Sequence, residues 1–345
     1  MLALVKAAKG VGNLELREVA VPKPGNREVL IEIKAAGVCG TDLHVKHDTF
    51  PYWPPVILGH EFSGRVHEIG PGVTDWKVGD RVVGEPHTLA CGKCFLCRTG
   101  NVQICNSKRS IGWGIDGAFT KFMVMPEHLL HRIPDNLSYE EAAVVEPAAN
   151  VVKDVLEHAK VEPEDIVVVM GPGPIGLLAA MAARAGGAKK VVITGTPKDE
   201  QSRLPVARQL GFTEVLNLAE VNALERVQEL TGGRGADLVV DCSGAEPAIN
   251  MGLDLIRKKG RFCAIGMTGK DRISIAWDKA ISKDIDMFFN MSTSYTCWDR
   301  AISLIASGKI NVKPLITYTE PLTNWEYVFS QLEAQQGLKA LFIPS

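Results

Sequence analysis

The sequence has almost no charge of either sign to spare: 38 lysines and arginines face 40 aspartates and glutamates, a formal net charge of −2 over 345 residues. That balance builds no field to concentrate nucleic acid or anionic lipid, so neither partner is expected. An apolar leader is also lacking: Met1-Leu2-Ala3-Leu4-Val5-Lys6 is too short for a secretory signal and precedes no cleavage site. Nor is there an unbroken membrane span. The longest uncharged apolar stretch, Ile166 to Ala183, is cut by Gly171-Pro172-Gly173-Pro174 and reads as a buried strand, a turn and a buried helix. Repeats and low-complexity tracts are absent.

What is present is enough apolar material, 46% of the chain, for about two domains with proper cores. Eight cysteines occur, and four of them fall within fifteen residues. Without a secretory signal, such a cluster points to metal rather than disulfides and to a reducing, cytoplasmic setting.

Up to about residue 150 the chain is rich in glycine, proline and short β-branched runs. Val29–Ile33, Gly64–Ile69 and Asp80–Val83 alternate like half-buried strands, separated by turn signals such as Pro22-Lys23-Pro24-Gly25. Ser138 followed by Glu141 reads as a capped helix start. Beyond Pro147, strands at Ile166–Met170, Val191–Thr194, Glu214–Leu218, Leu238–Asp241, Arg261–Ile265 and Met287–Asn290 alternate with helical patterns such as Ile175–Ala185 and Leu204–Leu210. That alternation predicts an α/β fold with a doubly wound parallel sheet. The tail from about Ser294 holds a helix, Asp299–Ser307, and a final strand, Ala340–Ile343.

Gly171, Gly173, Pro174, Ile175 and Gly176 belong to a G-x-G-x-x-G loop that follows an apolar strand and opens an apolar helix. Glycines there allow a tight turn and close backbone approach to a pyrophosphate, which would rest on amides at a helix N-terminus. The acidic residue expected about twenty positions on, to bind an NAD ribose, is missing. Gly195-Thr196 stands in its place, and Ser202 and Arg203 follow. Loss of the carboxylate removes repulsion against a 2′-phosphate that Arg203 could pair with, so NADP is favoured over NAD. Asp199 or Glu200, reaching back, would restore NAD binding. Thr196, Ser202, Arg203 and Gly266, the last directly after the strand 261–265, complete the cofactor candidates.

Cys91, Cys94, Cys97 and Cys105 give C-x2-C-x2-C-x7-C, four thiolates able to close a tetrahedral zinc site. The ferredoxin pattern begins the same way, but it places its fourth cysteine after three residues and then a proline. Here the gap is seven and Asn106 follows, which favours zinc over an iron–sulfur cluster or disulfides. A second, dispersed set consists of Cys39, His60 and Glu61, with Glu146 before Pro147. Cysteine, histidine and carboxylate supply three ligands and leave a position for water or substrate, as Lewis-acid catalysis requires.

Gly37-Val38-Cys39-Gly40-Thr41-Asp42-Leu43-His44, Gly59-His60-Glu61, Val78-Gly79-Asp80-Arg81-Val82, the four-cysteine lobe, the Gly171 loop and Asn311–Thr317 together resemble the zinc-containing medium-chain dehydrogenases, within them the sorbitol (polyol) and threonine dehydrogenase branch. The resemblance runs essentially end to end. It implies a GroES-like catalytic domain from residues 1–150 and 294–345, a Rossmann domain from 151–293, and a dimer or tetramer. It also implies two zinc ions: a catalytic one on Cys39, His60 and Glu61, with Glu146 as direct or water-mediated fourth ligand, and a structural one on the four-cysteine lobe. Thr41 and His44 match the family's proton-relay pair. Two departures stand out: the missing acid after the second strand, and Val45 and Ser294 where polyol dehydrogenases carry an aromatic residue and an arginine, although Tyr295 is kept.

The reaction expected is reversible oxidation of a secondary alcohol, a polyol or sugar alcohol first, with hydride passing to the nicotinamide. A threonine 3-dehydrogenase-like activity and a zinc-stabilised cofactor sensor without catalysis are the alternatives. Phe50, Trp53, Ile115, Phe119 and Trp298 are the candidates for lining the substrate cleft.

Overall fold

Strict alternation and β-branched runs become strands, as the periodicity requires. The computed structural model describes residues 1–87 and 89–344. Two compact units emerge: Met1–Glu146 with Ser292–Ala306 and the segment from Ile316 to the C-terminus, and Pro147–Met291 with Ser307–Leu315. Ser307–Leu315, expected with the catalytic domain, groups instead with the second unit, where its 3₁₀ turn Lys313–Leu315 packs on the helix Arg203–Gln209.

The first unit is a β-rich body. Its larger sheet runs Ile316–Pro321, Lys339–Ile343, Glu28–Gly37, Glu61–Ile69, Arg81–Gly84 and Leu130–Arg132, and Phe122–Pro126 also pairs with Glu28–Gly37. A smaller sheet joins Leu14–Glu18, Leu2–Lys6 and Val56–Ile57. Ile31, Ile33, Val66, Val82, Phe329 and Phe342 fill the core beneath them. One register matters for the site: Gly37 lies opposite Glu61 on one neighbouring strand and Leu341 on the other.

The second unit is a six-stranded, all-parallel sheet in the order Glu214–Asn217, Lys190–Gly195, Ile166–Met170, Ala236–Asp241, Ile256–Ala264, Asp286–Phe289. Ile166–Met170 and Ala236–Asp241 are buried throughout, the mark of parallel strands covered on both faces. Among the described residues, no helix is long and apolar enough to cross a membrane.

A π-helical turn, Val152–His158, carries the buried Asp154, whose Oδ1 has no hydrogen-bond partner. Burial raises its carboxyl to about 7, with Lys153 opposing. The unfolded chain ionises Asp154 above about 4 while the folded one holds its proton to about 7, so stability falls as pH rises through that window. Asp154→Asn is therefore expected to gain a few kcal/mol at pH 8 and nothing at pH 4, at about 1.4 kcal/mol per unit of displacement. Urea unfolding at the two pH values reads it; equal effects at both would refute it.

Candidate metal centres and cofactor loop

The four-cysteine lobe is organised by local hydrogen bonding. Cys94 caps the short helix Phe95–Arg98, its sulfur accepting from the Cys97 amide, and the Cys105 sulfur accepts from the Cys91 amide at 3.5 Å. Amides of Lys93 and Cys94 directed at Cys91 lower its thiol to about 6 and favour the thiolate. Sulfur–sulfur separations are 3.5 Å for Cys94–Cys97 and 3.9 Å for Cys91–Cys97 and Cys94–Cys105. A regular tetrahedron with metal–sulfur bonds of about 2.3 Å has edges of about 3.8 Å. A disulfide would bring two sulfurs to about 2.05 Å. The lobe therefore fits a single tetrahedral ion.

The second set converges from two places in the chain. Cys39 caps the helix Gly40–Lys46, and His60 and Glu61 lie at the start of the strand Glu61–Ile69. Their ligand atoms all fall within 4.8 Å of one another. Asp42, fully buried, ties the two segments together: it accepts from the Cys39 amide at 2.8 Å and the Gly59 amide at 3.3 Å. Gly59 has φ +89°, and a Cβ there would lie 2.4 Å from the Phe119 ring. Gly37 leaves space for the Glu61 carboxylate, which a Cβ would meet at 2.2 Å.

Electrostatics concentrate negative charge on this spot. Burial disfavours a charged His60, but the Cys39, Asp42 and Glu146 charges outweigh it and hold the imidazole at about 10. His60 Nδ1 is buried with no hydrogen-bond partner, its nearest carboxylate oxygen, on Asp42, being 3.9 Å away. Donor chemistry, burial and charge all suit a divalent ion of borderline softness. Glu146, in the first turn of the helix Val145–Val151, acts on His60 and Lys339 through its charge but stands outside the three-donor group.

Lys339 is the residue that sequence reasoning missed. Completely buried, it donates to Glu61 Oε1 at 2.6 Å and to the Val38 carbonyl at 3.0 Å, and it pairs with Glu61 Oε2 as well. Burial alone would lower its pKa, yet the Glu61 and Cys39 charges raise it, so it remains an ammonium. No motif surrounds it; only the register placing Leu341 beside Gly37 brings it there.

Thr41 Oγ1 lies 3.7 Å from the Cys39 sulfur. Exposed His44 is hydrogen-bonded through Nδ1 to Thr49 at 3.0 Å, and no hydrogen bond joins it to Thr41. Phe50 packs edge-on against Trp113, which itself packs edge-on against His60 at 4.8 Å. Phe119 and Trp298, expected at the cleft, are core residues instead. Phe119 packs on Phe342, and Trp298 stacks on His131 and donates to Thr293.

In the second unit, Gly171 has φ +96° and Gly173 caps the helix Pro174–Ala185, with Pro174 at its first position and Ile175 in its first turn. A Cβ on Gly176 would fall 1.8 Å from the Gly171 carbonyl oxygen, and one on Gly266 would fall 2.2 Å from the Gly244 nitrogen. Gly171 and Gly176 are thus sterically required, whereas Gly173 has open space around it, and the loop leaves the helix N-terminus open to an anion. Asp199 does reach back, but its Oδ2 accepts from the Thr196 amide and hydroxyl, both at 2.8 Å. Its Oδ1 accepts from Arg203 at 3.3 Å, and Arg203 Nε has no partner. Ser202 precedes Arg203 as the cap of its helix, and Glu200 faces Arg208 instead.

Residues 25–135 match the alcohol dehydrogenase GroES-like domain, and residues 174–307 match the zinc-binding dehydrogenase domain. The chain is 38% identical to a sorbitol dehydrogenase of Halalkalibacterium halodurans over 100% of its own length and 99% of that protein's. The chain belongs to the zinc-dependent medium-chain dehydrogenases. As a member of that family it is an oxidoreductase acting on CH–OH donors with a nicotinamide cofactor. Other medium-chain dehydrogenases are similar: a D-arabitol-phosphate dehydrogenase of Enterococcus avium, 35% identical over 99% of this chain and 97% of the other, and an L-threonine 3-dehydrogenase of Pyrococcus horikoshii, 34% identical over 99% and 98%. Among solved structures, a zinc-binding dehydrogenase of Sinorhizobium meliloti bound to NADP superposes with a TM-score of 0.91 at 28% identity, covering 99% of each chain.

Proposed function

We propose that the protein oxidises a secondary hydroxyl of a polyol, free or as its phosphate ester, with NADP. The observation that carries this reading is the convergence of Cys39, His60 and Glu61 within 4.8 Å, with charged Lys339 buried behind them. These three, with Glu146 as the fourth position, would hold the catalytic zinc, and Cys91, Cys94, Cys97 and Cys105 a structural one. Bound zinc supplies Lewis acidity that lowers the proton affinity of the substrate hydroxyl, and bound NADP supplies the hydride acceptor. Thr41, beside Cys39, would accept the hydroxyl proton as it gives up its own to the cofactor ribose or a water, and His44, on the exposed side of the same helix, would pass that proton to solvent. Similarity to sorbitol and D-arabitol-phosphate dehydrogenases supports the substrate class. For the cofactor, Asp199 is already occupied by Thr196, and Arg203 gives one N–H to Asp199, which leaves further guanidinium donors for a 2′-phosphate. The eight cysteines form no disulfide among the described residues, which suits the cytoplasm.

Reduced-cofactor absorbance tests this with zinc-loaded protein, NAD or NADP, and polyols, polyol phosphates, simple secondary alcohols and threonine. Turnover on polyols with NADP, abolished by a chelator while cofactor still binds, is the expected result. Turnover on threonine alone would replace the substrate, tighter NAD binding would reverse the cofactor, and cofactor binding without turnover on any alcohol would favour a sensor.

The proposal includes a homo-oligomer, a dimer at least and a tetramer if a second interface exists. Asp286–Phe289 ends the six-stranded sheet as an edge strand; Phe289 on it is 77% exposed, and Met291, two residues beyond, is 57% exposed. An apolar edge left open invites pairing with a second copy. Phe289→Asp is expected to shift the mass in light scattering to the monomer; an unchanged mass would refute the edge as the interface.

A further inference from the structure

A free polyol and its phosphate ester differ by one terminal dianion, and Arg109 is the cation that bears on that difference. Its guanidinium carbon lies over the half-exposed Trp53 indole, 3.7 Å from the ring centroid. One of its N–H groups donates to the Lys108 carbonyl at 3.1 Å, and among the described residues no carboxylate is paired with it. A guanidinium has five N–H donors, so most of its hydrogen-bonding edge is uncommitted.

The arginine is also held in place. Its backbone exchanges hydrogen bonds of 2.9 and 3.0 Å with Leu89, and Gly114 leaves room for it, a Cβ there falling 3.0 Å from Arg109 Cδ. Trp53 in turn is fixed by its amide, which donates to the Trp113 carbonyl at 2.9 Å. Trp113 is the ring that packs against the metal-ligand candidate His60. Three contacts in series therefore lead from the metal-ligand candidates to the guanidinium: the His60–Trp113 ring contact, the Trp53–Trp113 backbone hydrogen bond, and Arg109 over the Trp53 ring. Aromatic faces suit the C–H side of an extended carbon chain, and a stacked guanidinium suits a phosphate through paired N–H···O bonds.

We propose that Arg109, seated on Trp53, binds the terminal phosphate of a polyol phosphate monoester whose reacting hydroxyl lies at the Cys39–His60–Glu61 site. The inference rests on the polyol dehydrogenase reading. It assigns Arg109 to substrate selection, not to the chemical step, because the phosphate sits away from the carbon that loses hydride.

Steady-state kinetics on pentitols, hexitols and their terminal phosphate monoesters test it, with inorganic phosphate as a second probe. The wild type is expected to favour the esters, with inorganic phosphate competing against them. Arg109→Leu should lower kcat/KM for the esters about 10- to 100-fold, mainly through KM, and change free-polyol kinetics by far less. Arg109→Lys, which keeps the charge but loses the fork, should fall between. An equal loss on free and phosphorylated substrates, or a wild type with no preference for the esters, would overturn the assignment while leaving the dehydrogenase reading intact. No turnover of either class by the wild type would overturn the reading beneath it, and the assignment with it.

Discussion

Cys39→Ser should remove one zinc ion per chain and lower turnover on the order of 10³-fold or more, while the fold and cofactor affinity persist. The magnitude follows from the several kcal/mol that a Lewis acid contributes to a transition state in which negative charge builds on oxygen. Serine keeps the size of the side chain, and the capping geometry at Cys39 depends on its backbone amide and Asp42 rather than on sulfur. The helix Gly40–Lys46 should therefore still form, and circular dichroism should be unchanged. What is lost is the soft anionic donor, because a serine hydroxyl does not ionise near neutral pH as a thiol at a metal does. Metal analysis and steady-state kinetics on the same preparation decide the matter. Near-normal turnover with unchanged zinc content would mean that the reaction uses another site, and the four-cysteine lobe would then be the metal centre left among the described residues.

Lys339→Met should destabilise the chelator-treated protein by about 3–5 kcal/mol, the cost of leaving one partner of a buried ion pair without the other. Glu61 and Lys339 are both almost wholly excluded from solvent, and the lysine satisfies the carboxylate by direct contact. Methionine matches the lysine stem in length, so packing loss is small and the charge term dominates. Adding Glu61→Gln should restore much of the loss by removing the orphaned charge, a coupling that a double-mutant cycle in urea would expose. Additive effects of the two substitutions would show that they do not act as a pair. In zinc-loaded protein the penalty should shrink, because a cation beside Glu61 offsets the missing ammonium.

Which of these features could be read from the sequence depends on how far apart the partners lie along it. The four-cysteine lobe is legible because its ligands fall within fifteen residues and its spacing constrains the geometry. The parallel sheet is legible because each strand is a short apolar run bounded by turns, and the Gly171 loop because Gly171 and Gly176 admit no side chain. Lys339 is silent because its environment comes from a strand pairing across most of the chain. Trp113 is silent for a related reason: one aromatic residue among glycines shows no periodicity, and its place against His60 follows from a loop. Phe119 and Trp298 were misjudged because a large ring is as suited to a core as to a cleft, and only neighbours such as Phe342 and His131 decide. Asp199 shows the same limit at short range, since the sequence allows it to reach back but does not show that Thr196 takes up its oxygens.

The placement of Lys339 also has a consequence for biosynthesis. It lies 278 residues after the glutamate it neutralises. At about 5–20 residues per second, a ribosome needs roughly 14 to 56 seconds to make that stretch. For that interval Cys39, His60 and Glu61 are present in the nascent chain without their cation. A metal ion captured early would meet a trio with no competing ammonium, whereas one arriving after release would have to share Glu61 with the lysine. The order of translation, rather than the finished fold alone, can thus bias how readily the centre is loaded.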